Sequence, residues 1–487
     1  MKKDKLDMKQ KKKIAVVCMS TPNYGNNLVN MTLVHILEKE GHDVTMVFPP
    51  GDYTDIVRCR SFYFSNDHYD NRKMIFPNTY KELVLLNQLF DIFVVGGDQV
   101  FRFIFQYPAG GFFSLDWVSP DKTKVCVGTS FGQDGYEEKH PFFREREKYW
   151  FNHFSMMLVR EQSGEELLKE YFEIDTEVKT ILDPVLLCEP GYITSIADDI
   201  SFDKKYMAVY FLDKSEKKMK GVQAIADKYY SGRIIEYLDI SGETEKISGF
   251  DDNSDRDHSR GEEWLCVIKK SDFLITDSFH GICMALMLHK QFCVMVPDKF
   301  RGMIRIREIL NTCELQDRLI SDFSDFIDND FINQEIDYEI VDNILAQKRK
   351  ESLMLIENAL CRESECSDDF WEIYINKAGK FMNKNEQDDF TYIAWGAGDI
   401  FRRTLPYLRT KGVKYVCDMR ENLWGSEADE GIEIISKEDL KRFDKVFIIV
   451  TIDSWIETMN IFKAMKDQEN IVGIENVLER QGNEIHI

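Results

Sequence analysis

Residues 14–48 read IAVVCMSTPNYGNNLVNMTLVHILEKEGHDVTMVF, and this stretch decides the fold class. It opens with a short apolar run, Ile14–Met19, and passes through a polar turn into a run from Leu28 to Glu40 whose apolar residues recur at helical spacing. Gly41 is a typical helix stop, and a second apolar run, Asp43–Phe48, follows it. The order strand, turn, helix, strand predicts the beginning of a parallel α/β sheet.

The same pattern continues along the chain, with apolar runs of strand length that end in polar or glycine-containing turns. These runs are Asp91–Val95, Lys124–Thr129, Ser155–Val159, Tyr206–Leu212, Arg233–Leu238, Asp272–Thr276 and Phe292–Val296. A polar stretch at 198–205 divides them into two groups. The pattern predicts two successive α/β lobes with parallel sheets, which we place at residues 13–200 and 201–330.

A third α/β unit begins after a long gap in the pattern. Residues 331–388 are charged and predict a helical linker, whereas residues 389–487 open with a strand, then Gly396-Ala397-Gly398, a helix and a strand that ends at Asp418. This order predicts a C-terminal Rossmann-like α/β domain. The two glycines could cradle a phosphate and the aspartate could bind a ribose hydroxyl, although a structural or partner-docking domain is the alternative.

The amino-acid composition bears on the kinds of partner that the protein could bind and on the compartment in which it works. The 487 residues are 44% hydrophobic and 30% charged, with a formal net charge of −23, which disfavours nucleic acids and anionic membrane surfaces. No apolar run reaches the roughly 18 residues of a membrane helix. The 11 cysteines include no CxxC pair and mostly lie in apolar runs, as expected for buried thiols in a reducing compartment. We therefore expect a cytoplasmic protein without a metal site.

Polar residues in the turns after the strands are the candidate site residues, because ligands of parallel α/β sheets bind at the carboxyl ends of the strands. The candidates are Asn23, Tyr24, Gly25, Asn26, Asp98, Gln99, Arg160, Ser278, His280, Gly281 and Arg305.

Four of these candidates have a structural alternative, which for Arg305 is a place on a solvated helix face. Asp98 could accept a proton from an alcohol or could merely cap a helix. Arg160 could bind a phosphate or carboxylate through two hydrogen bonds, or could pair with Glu161 beside it. His280 begins a helix after an apolar strand, where it could donate a proton, hold an anion or only cap the helix.

Seven short motifs, taken together and in this order, resemble the polysaccharide pyruvyl transferases. They are Asn23-Tyr24-Gly25-Asn26, Gly97-Asp98-Gln99-Val100, Ser130-Phe131-Gly132, Arg160-Glu161-Gln162-Ser163-Gly164, Asp183-Pro184-Val185-Leu186-Leu187, Glu263-Trp264-Leu265 and Ser278-Phe279-His280-Gly281. The resemblance covers about residues 13 to 320. The chain departs from it at Gly97, where the family commonly has Ser, and at Phe101, where it commonly has Trp.

The resemblance implies a two-lobed, GT-B-like fold and transfer of a pyruvyl group from phosphoenolpyruvate to hydroxyls of a saccharide, as a ketal, in surface polysaccharide biosynthesis. The acceptor could be lipid-linked or nucleotide-linked, and no cofactor is implied. His280 would then be the acid that protonates the donor's methylene carbon, and Asp98 the base for the hydroxyl. Arg160, Arg305 and the turn from Ser278 to Gly281 would hold the donor's anionic groups.

Two other functions share this architecture. One is a glycosyltransferase of GT-B-like fold that uses a nucleotide sugar. The other is a non-catalytic protein that binds a sugar or a nucleotide.

Overall fold

The computed structural model describes most of the chain. The described residues are 11–19, 23–49, 73–77, 80–103, 112–133, 135–137, 141–202, 204–213, 215–238, 261–296, 302–328, 330–364, 391–452, 461 and 468–476. No helix in these ranges has the length and apolarity needed to cross a bilayer.

The first lobe is built on a parallel sheet with the strand order β3-β2-β1-β4-β5-β6-β7. Its strands are β1 Lys13–Val17, β2 Asp43–Val47, β3 Met74–Ile75, β4 Ile92–Gly96, β5 Thr123–Thr129, β6 Met156–Val159 and β7 Val178–Thr180. Its helices are α1 Tyr24–Lys39, α2 Tyr80–Leu85, α3 Pro141–Phe151, α4 Gln162–Glu166, α5 Pro184–Leu187 and α6 Pro190–Ile196. The order reverses between β1 and β4, so the crevice at their carboxyl ends is the expected ligand position.

The second lobe has a parallel sheet with the order β12-β11-β10-β8-β9. Its strands are β8 Met207–Phe211, β9 Ile234–Leu238, β10 Phe273–Thr276, β11 Phe292–Met295 and β12 Leu319–Ile320. Its helices are α7 Glu216–Tyr229, α8 Gly261–Lys270, α9 Phe279–Met287, α10 Met303–Thr312 and α11 Phe323–Asp328. Here the order reverses between β8 and β10. The predicted two-lobed, GT-B-like α/β architecture is confirmed.

A third sheet lies in the C-terminal part, with the order β15-β16-β14-β13-β17-β18. Its strands are β13 Thr391–Trp395, β14 Tyr415–Cys417, β15 Glu427–Asp429, β16 Ile432–Ile435, β17 Val446–Val450 and β18 Ile471–Asn476. All neighbouring pairs are parallel except β15 with β16. Helix α13, Asp399–Thr410, follows the glycine turn after β13.

The first two sheets share an apolar core. Side chains alternate along β1, so that Ile14 and Val16 join the cluster that also contains Trp264 of the second lobe, while Ala15 and Val17 join the cluster on the opposite face. A continuous core of this kind fixes the orientation of the two carboxyl edges.

A long helix, α12 Tyr338–Cys361, joins the two lobes a second time. At its start the hydroxyl of Tyr338 donates to the carbonyl of Ala285 in the second lobe, at 3.1 Å. Further along, its Ser352 hydroxyl accepts from the amide of Leu182 in the first lobe, at 3.1 Å. The segment predicted as a helical linker therefore contains a helix that packs against both lobes.

The third sheet packs directly against the first lobe. Trp150, near the end of α3, is buried in the cluster formed by Ile393, Trp395 and Ile448 on one face of that sheet. Tyr149 packs against the same cluster. The first lobe thus supplies part of the core of the C-terminal unit.

Replacing Trp150 with Ala should lower the free energy of unfolding by about 3–5 kcal/mol, since a large side chain is removed from a packed core. Trp424→Ala is the matched control, because Trp424 is 39% exposed and mainly loses one hydrogen bond from its indole nitrogen, for about 1 kcal/mol. Denaturant titration followed by circular dichroism measures both. Equal losses in the two variants would mean that Trp150 does not join the units.

Candidate active site

The residues that follow β4, β6 and β10, together with helix α10, meet between the two lobes. They bring together four of the predicted residues, Asp98, Arg160, His280 and Arg305, all of which are more than nine-tenths buried. The buried carboxylate of Asp183, at the start of α5, completes the group. We call these five residues the interlobe cluster.

Arg160 lies at the centre of the interlobe cluster. Its Nη2 donates to Asp98 Oδ1 at 2.8 Å, and its Nη1 donates to Asp183 Oδ2 at 2.6 Å. The guanidinium also lies over the ring of Phe279, 4.9 Å from the ring centroid. Burial opposes its charge, but the neighbouring carboxylates outweigh burial and raise the pKa of Arg160. The two terminal nitrogen atoms of the guanidinium are therefore each paired with a carboxylate, whereas Nε has no hydrogen-bond partner among the described residues.

The pairing between Arg160 and Glu161 is looser than these contacts. Arg160 Nε lies 3.7 Å from Glu161 Oε2, whereas Glu161 Oε1 accepts a hydrogen bond from the hydroxyl of Ser130. The same hydroxyl accepts from the amide of Gly132 at 2.8 Å. Burial raises the pKa of Glu161. Glu161 thus fixes the turn after β5.

Asp98 is held by positive and amide groups on several sides. Besides Arg160, it faces Arg305 Nη1 at 3.7 Å, and its Oδ2 accepts from the side-chain amide of Asn26 at 3.4 Å. Burial would raise its pKa, but Arg160, with His280 and Arg305, outweighs burial and lowers the pKa of Asp98 to about 2. A carboxylate held in this way is ionised and is a weak base.

Arg305 on α10 is less committed than Arg160. Its Nε has no hydrogen-bond partner among the described residues, and its guanidinium lies 5.3 Å from the centroid of the Phe279 ring. Burial, followed by repulsion from Arg160, lowers the pKa of Arg305 to about 10. Arg305 remains charged at neutral pH and is better placed than Arg160 to bind an incoming anion.

The start of α9 positions His280. Ser278 is the N-cap, and its hydroxyl accepts from the amide of Gly281 at 3.3 Å. The hydroxyl of Thr276 accepts from the amide of Ser278 at 3.0 Å, and a Cβ at Gly281 would lie 2.4 Å from that same hydroxyl oxygen. Ser278 and Gly281, predicted as substrate ligands, build the turn that carries His280.

The imidazole of His280 is enclosed from both lobes. A Cβ at Gly25 would lie only 2.2 Å from His280 Nδ1, so only glycine allows α1 to approach the ring. On the other side, Nε2 lies 3.9 Å from Asp183 Oδ2 and has no hydrogen-bond partner among the described residues. Burial is the main cause that lowers the pKa of His280 to about 4; the carboxylates of Asp98 and Asp183 oppose it, and the guanidinium groups of Arg160 and Arg305 add to it. The ring is therefore neutral at pH 7.

The remaining predicted residues of the first lobe have structural contacts. Asn23 is the N-cap of α1, where its Oδ1 accepts from the amide of Asn26 at 3.1 Å. Tyr24 is buried and stacks on Trp264 of the second lobe, with ring centroids 5.4 Å apart. The Oε1 of Gln99 accepts from Arg102 Nη1 at 3.1 Å. Asn23 and Tyr24 thus shape the crevice, and their roles as ligands stay predictions.

Sequence reasoning missed two acidic residues of this region. The motif that contains Asp183 does not by itself mark it as a site residue, although an Asp directly before a Pro at a helix start is a common buried cap. Its Oδ1 accepts from the amide of Val185 at 2.9 Å. Glu308 on α10 was not singled out at all. Its Oε2 accepts from the amide of Gln162 at 2.8 Å, across the lobes.

The glycine turn of the third sheet has its own polar contacts. Asp418 Oδ2 accepts from the amide of Ala397 at 2.9 Å and from Arg420 Nη2 at 2.8 Å, while Oδ1 accepts from Arg420 Nε at 2.8 Å. Arg420 is the main cause that lowers the pKa of Asp418 to about 2. A Cβ at Gly398 would have no atom within 4 Å. In this form Asp418 closes the turn itself, and the nucleotide site predicted from Gly396, Gly398 and Asp418 stays a prediction.

Within the described ranges, no three or more His, Cys, Asp or Glu side chains are grouped so that they could hold a metal ion.

Removing the central cation should destabilise the fold. In Arg160→Leu, the carboxylates of Asp98 and Asp183 lose their main partner, which should cost about 3–5 kcal/mol of unfolding free energy at pH 7. Part of this loss should be recovered on acidification towards pH 5, because burial without the cation raises the pKa of Asp98 above its unfolded value and favours the protonated, folded state.

The unchanged protein should behave oppositely. Its Asp98 has a lowered pKa, so the stability from Asp98 is complete above the unfolded value near 4 and is lost as the pH falls towards 2. Thermal unfolding from pH 2 to 8 measures both profiles, with the exposed Arg307→Leu as control. A stable Arg160→Leu variant with the pH profile of the unchanged protein would contradict this account.

Comparison with known proteins supports the family that the motifs resemble. A search of curated proteins found no match to the chain. Among solved structures, the chain is similar to the glycotransferase of kitacinnamycin at 11% identity and a TM-score of 0.40, over 72% of this chain and 100% of that one.

It is also similar to the UDP-GlcNAc 2-epimerase from Neisseria meningitidis bound to UDP-GlcNAc, at 12% identity and a TM-score of 0.44, over 72% of this chain and 99% of the other. Likenesses this distant carry no functional argument. The sequence profile of the family "Polysaccharide pyruvyl transferase" matches residues 23–299, more than half of the chain and the whole region that supplies the interlobe cluster apart from Arg305. The chain belongs to the polysaccharide pyruvyl transferase family.

Proposed function

We propose that this protein transfers the pyruvyl group of phosphoenolpyruvate to two hydroxyls of a saccharide, forming a ketal and releasing phosphate. The observation that carries the proposal is a group of three buried nitrogen atoms of the interlobe cluster that have no hydrogen-bond partner among the described residues, Arg160 Nε, Arg305 Nε and His280 Nε2. Buried polar atoms without partners are rare and cost free energy, so their presence between two lobes supports a site that is completed by a ligand.

The charge of the interlobe cluster suits a donor with a carboxylate and a phosphate. Arg160 is neutralised by Asp98 and Asp183, whereas Arg305 reaches Asp98 only at 3.7 Å. A donor anion that replaces this long contact would gain charge-assisted hydrogen bonds from a desolvated guanidinium. We therefore assign donor binding to Arg305, with Arg160 as the group that holds the surrounding carboxylates.

Donor binding also changes the protonation of His280. In the free protein burial keeps this imidazole neutral by lowering its pKa, against the opposing effect of the carboxylates of Asp98 and Asp183. A bound dianion beside it would favour the imidazolium and raise the pKa, so His280 would take up a proton together with the donor. His280 is therefore charged only when the donor, whose methylene carbon it protonates, is bound.

The proton balance closes with His280 as the single relay. The imidazolium gives its proton to the methylene carbon, which becomes a methyl group while the neighbouring carbon becomes electron-deficient and is attacked by the first hydroxyl. That hydroxyl returns its proton to His280. The second hydroxyl then displaces phosphate, which leaves with the second proton. Asp98, with its pKa of about 2, is too weak a base for either step and stays paired with Arg160.

We place the reaction in the cytoplasm. Every described cysteine is a free thiol, as is usual in a reducing compartment. The acceptor is proposed to be a lipid-linked or nucleotide-linked precursor of a surface polysaccharide.

Incubation with phosphoenolpyruvate and a panel of saccharides tests the proposal. We expect acceptor-dependent phosphate release and a pyruvyl mass increment on one glycan, without added metal and in the presence of a chelator. His280→Gln, which keeps a polar side chain of similar size, should lower turnover about 10²–10⁴-fold while its circular dichroism stays unchanged.

Two results would overturn the proposal. One is sugar transfer from a nucleotide sugar in the absence of phosphoenolpyruvate, which would indicate a glycosyltransferase. The other is binding of a sugar or nucleotide with no turnover of any donor, which would indicate a non-catalytic protein.

A further inference from the structure

Glu308 makes a contact between the lobes that the proposed reaction does not use. It lies on α10, which follows the second sheet, yet its carboxylate accepts from the backbone of the first lobe. Oε2 accepts from the amide of Gln162 at 2.8 Å, and Oε1 lies 3.4 Å from the amide of Ser163. One carboxylate therefore bridges two consecutive N–H groups.

These two amides are the first of helix α4 and have no partner within that helix. The N-cap position of α4 is occupied by Glu161, whose side chain makes no capping hydrogen bond because it is turned towards Ser130. Glu308 thus supplies, from the other lobe, the cap that the local sequence does not provide. Because α4 follows directly after Arg160, this contact lies beside the interlobe cluster.

Glu308 and Arg305 are neighbours on one face of α10, one turn apart. Arg305 extends over Phe279 towards Asp98, while Glu308 grips the start of α4. The first turn of α10 has no side-chain cap of its own, since Gly302 occupies the N-cap position. Among the described residues, the hydrogen bonds of Glu308 are the ones nearest to Arg305 along α10 that join this helix to the first lobe.

The charge of Glu308 does not favour folding. Burial raises its pKa, and Glu161 and Glu166 add repulsion that the two amides only partly offset. A carboxyl group whose folded pKa is raised above the unfolded value loses stability when it ionises, so the charged form opposes folding at neutral pH. Glu308 therefore makes its two contacts with α4 at an electrostatic cost.

We propose that Glu308 is a positioning residue, an interlobe clamp that caps α4 from the opposite lobe and thereby holds Arg305 in place for the donor anion. The part that concerns the donor rests on the proposed function, whereas the clamp itself does not. Glu308→Ala removes the clamp, Glu308→Asp is too short to reach the amides, and Glu308→Gln keeps one acceptor oxygen without the charge.

Hydrogen exchange measured by mass spectrometry tests the clamp in the full chain. Glu308→Ala and Glu308→Asp should speed exchange of the amides at 162–163 about ten- to hundredfold, the effect expected when an N–H loses a charged acceptor. In the same two variants, hydrogen exchange of the amides at 303–310 should also become faster. The matched control is Glu170→Gln, which alters an exposed carboxylate shortly after α4 and should leave both segments unchanged. Unchanged exchange in Glu308→Ala would overturn the clamp.

Donor kinetics test the positioning role. Glu308→Ala should raise the KM for phosphoenolpyruvate about tenfold with a smaller change in kcat, and Glu308→Gln should restore part of the loss without lowering thermal stability. Faster exchange with an unchanged KM would overturn the role of Glu308 in placing Arg305. If the unchanged protein shows no pyruvyl transfer, the proposed function fails, and the exchange of 303–310 alone decides whether the clamp holds α10.

Discussion

The structure depends on one buried guanidinium that bridges two carboxylates. Arg160 connects Asp98, after β4, to Asp183, at the start of α5, while its side chain is only 1% exposed. Such an arrangement costs a large desolvation free energy, and apolar residues of the same volume would often be at least as stable. What the cluster provides is position, because a planar fork with two short contacts fixes both carboxylates at once.

Everything else at the cleft is arranged around that bridge. With Asp98 fixed, Arg305 can approach it from the second lobe, and with Asp183 fixed, the imidazole of His280 lies beside an anion without being hydrogen-bonded to it. Gly25 allows the close approach that encloses the ring, and burial then keeps it neutral. This arrangement leaves three buried nitrogen atoms without a hydrogen-bond partner among the described residues, Arg160 Nε, Arg305 Nε and His280 Nε2.

The sequence predicted the strands of the sheet interiors well, because strands buried on both faces are nearly continuous apolar runs. It did not predict the two-residue edge strands β3 and β12, which are too short to show a pattern. Helix α1 begins at Tyr24 and not at Leu28, because the side chain of Asn23 caps it ahead of the apolar face.

The sequence predicted which residues come together at the cleft, because they lie after parallel strands or close to them. These residues are Asp98, Arg160, His280 and Arg305. The sequence did not predict the roles of these residues. The pairing of each carboxylate with a guanidinium nitrogen depends on how side chains pack between the lobes. The pKa of each group also depends on its burial, and no local sequence pattern predicts that burial.

The central claim is that a donor anion binds in the interlobe cluster and charges His280. Calorimetric titration with phosphoenolpyruvate at pH 7.5, in two buffers of different ionisation enthalpy, measures the protons taken up on binding. The account predicts uptake of about one proton per donor, above the range in which the phosphate itself titrates, and loss of that uptake in His280→Gln. Binding without proton uptake, or uptake that persists in His280→Gln, would contradict it.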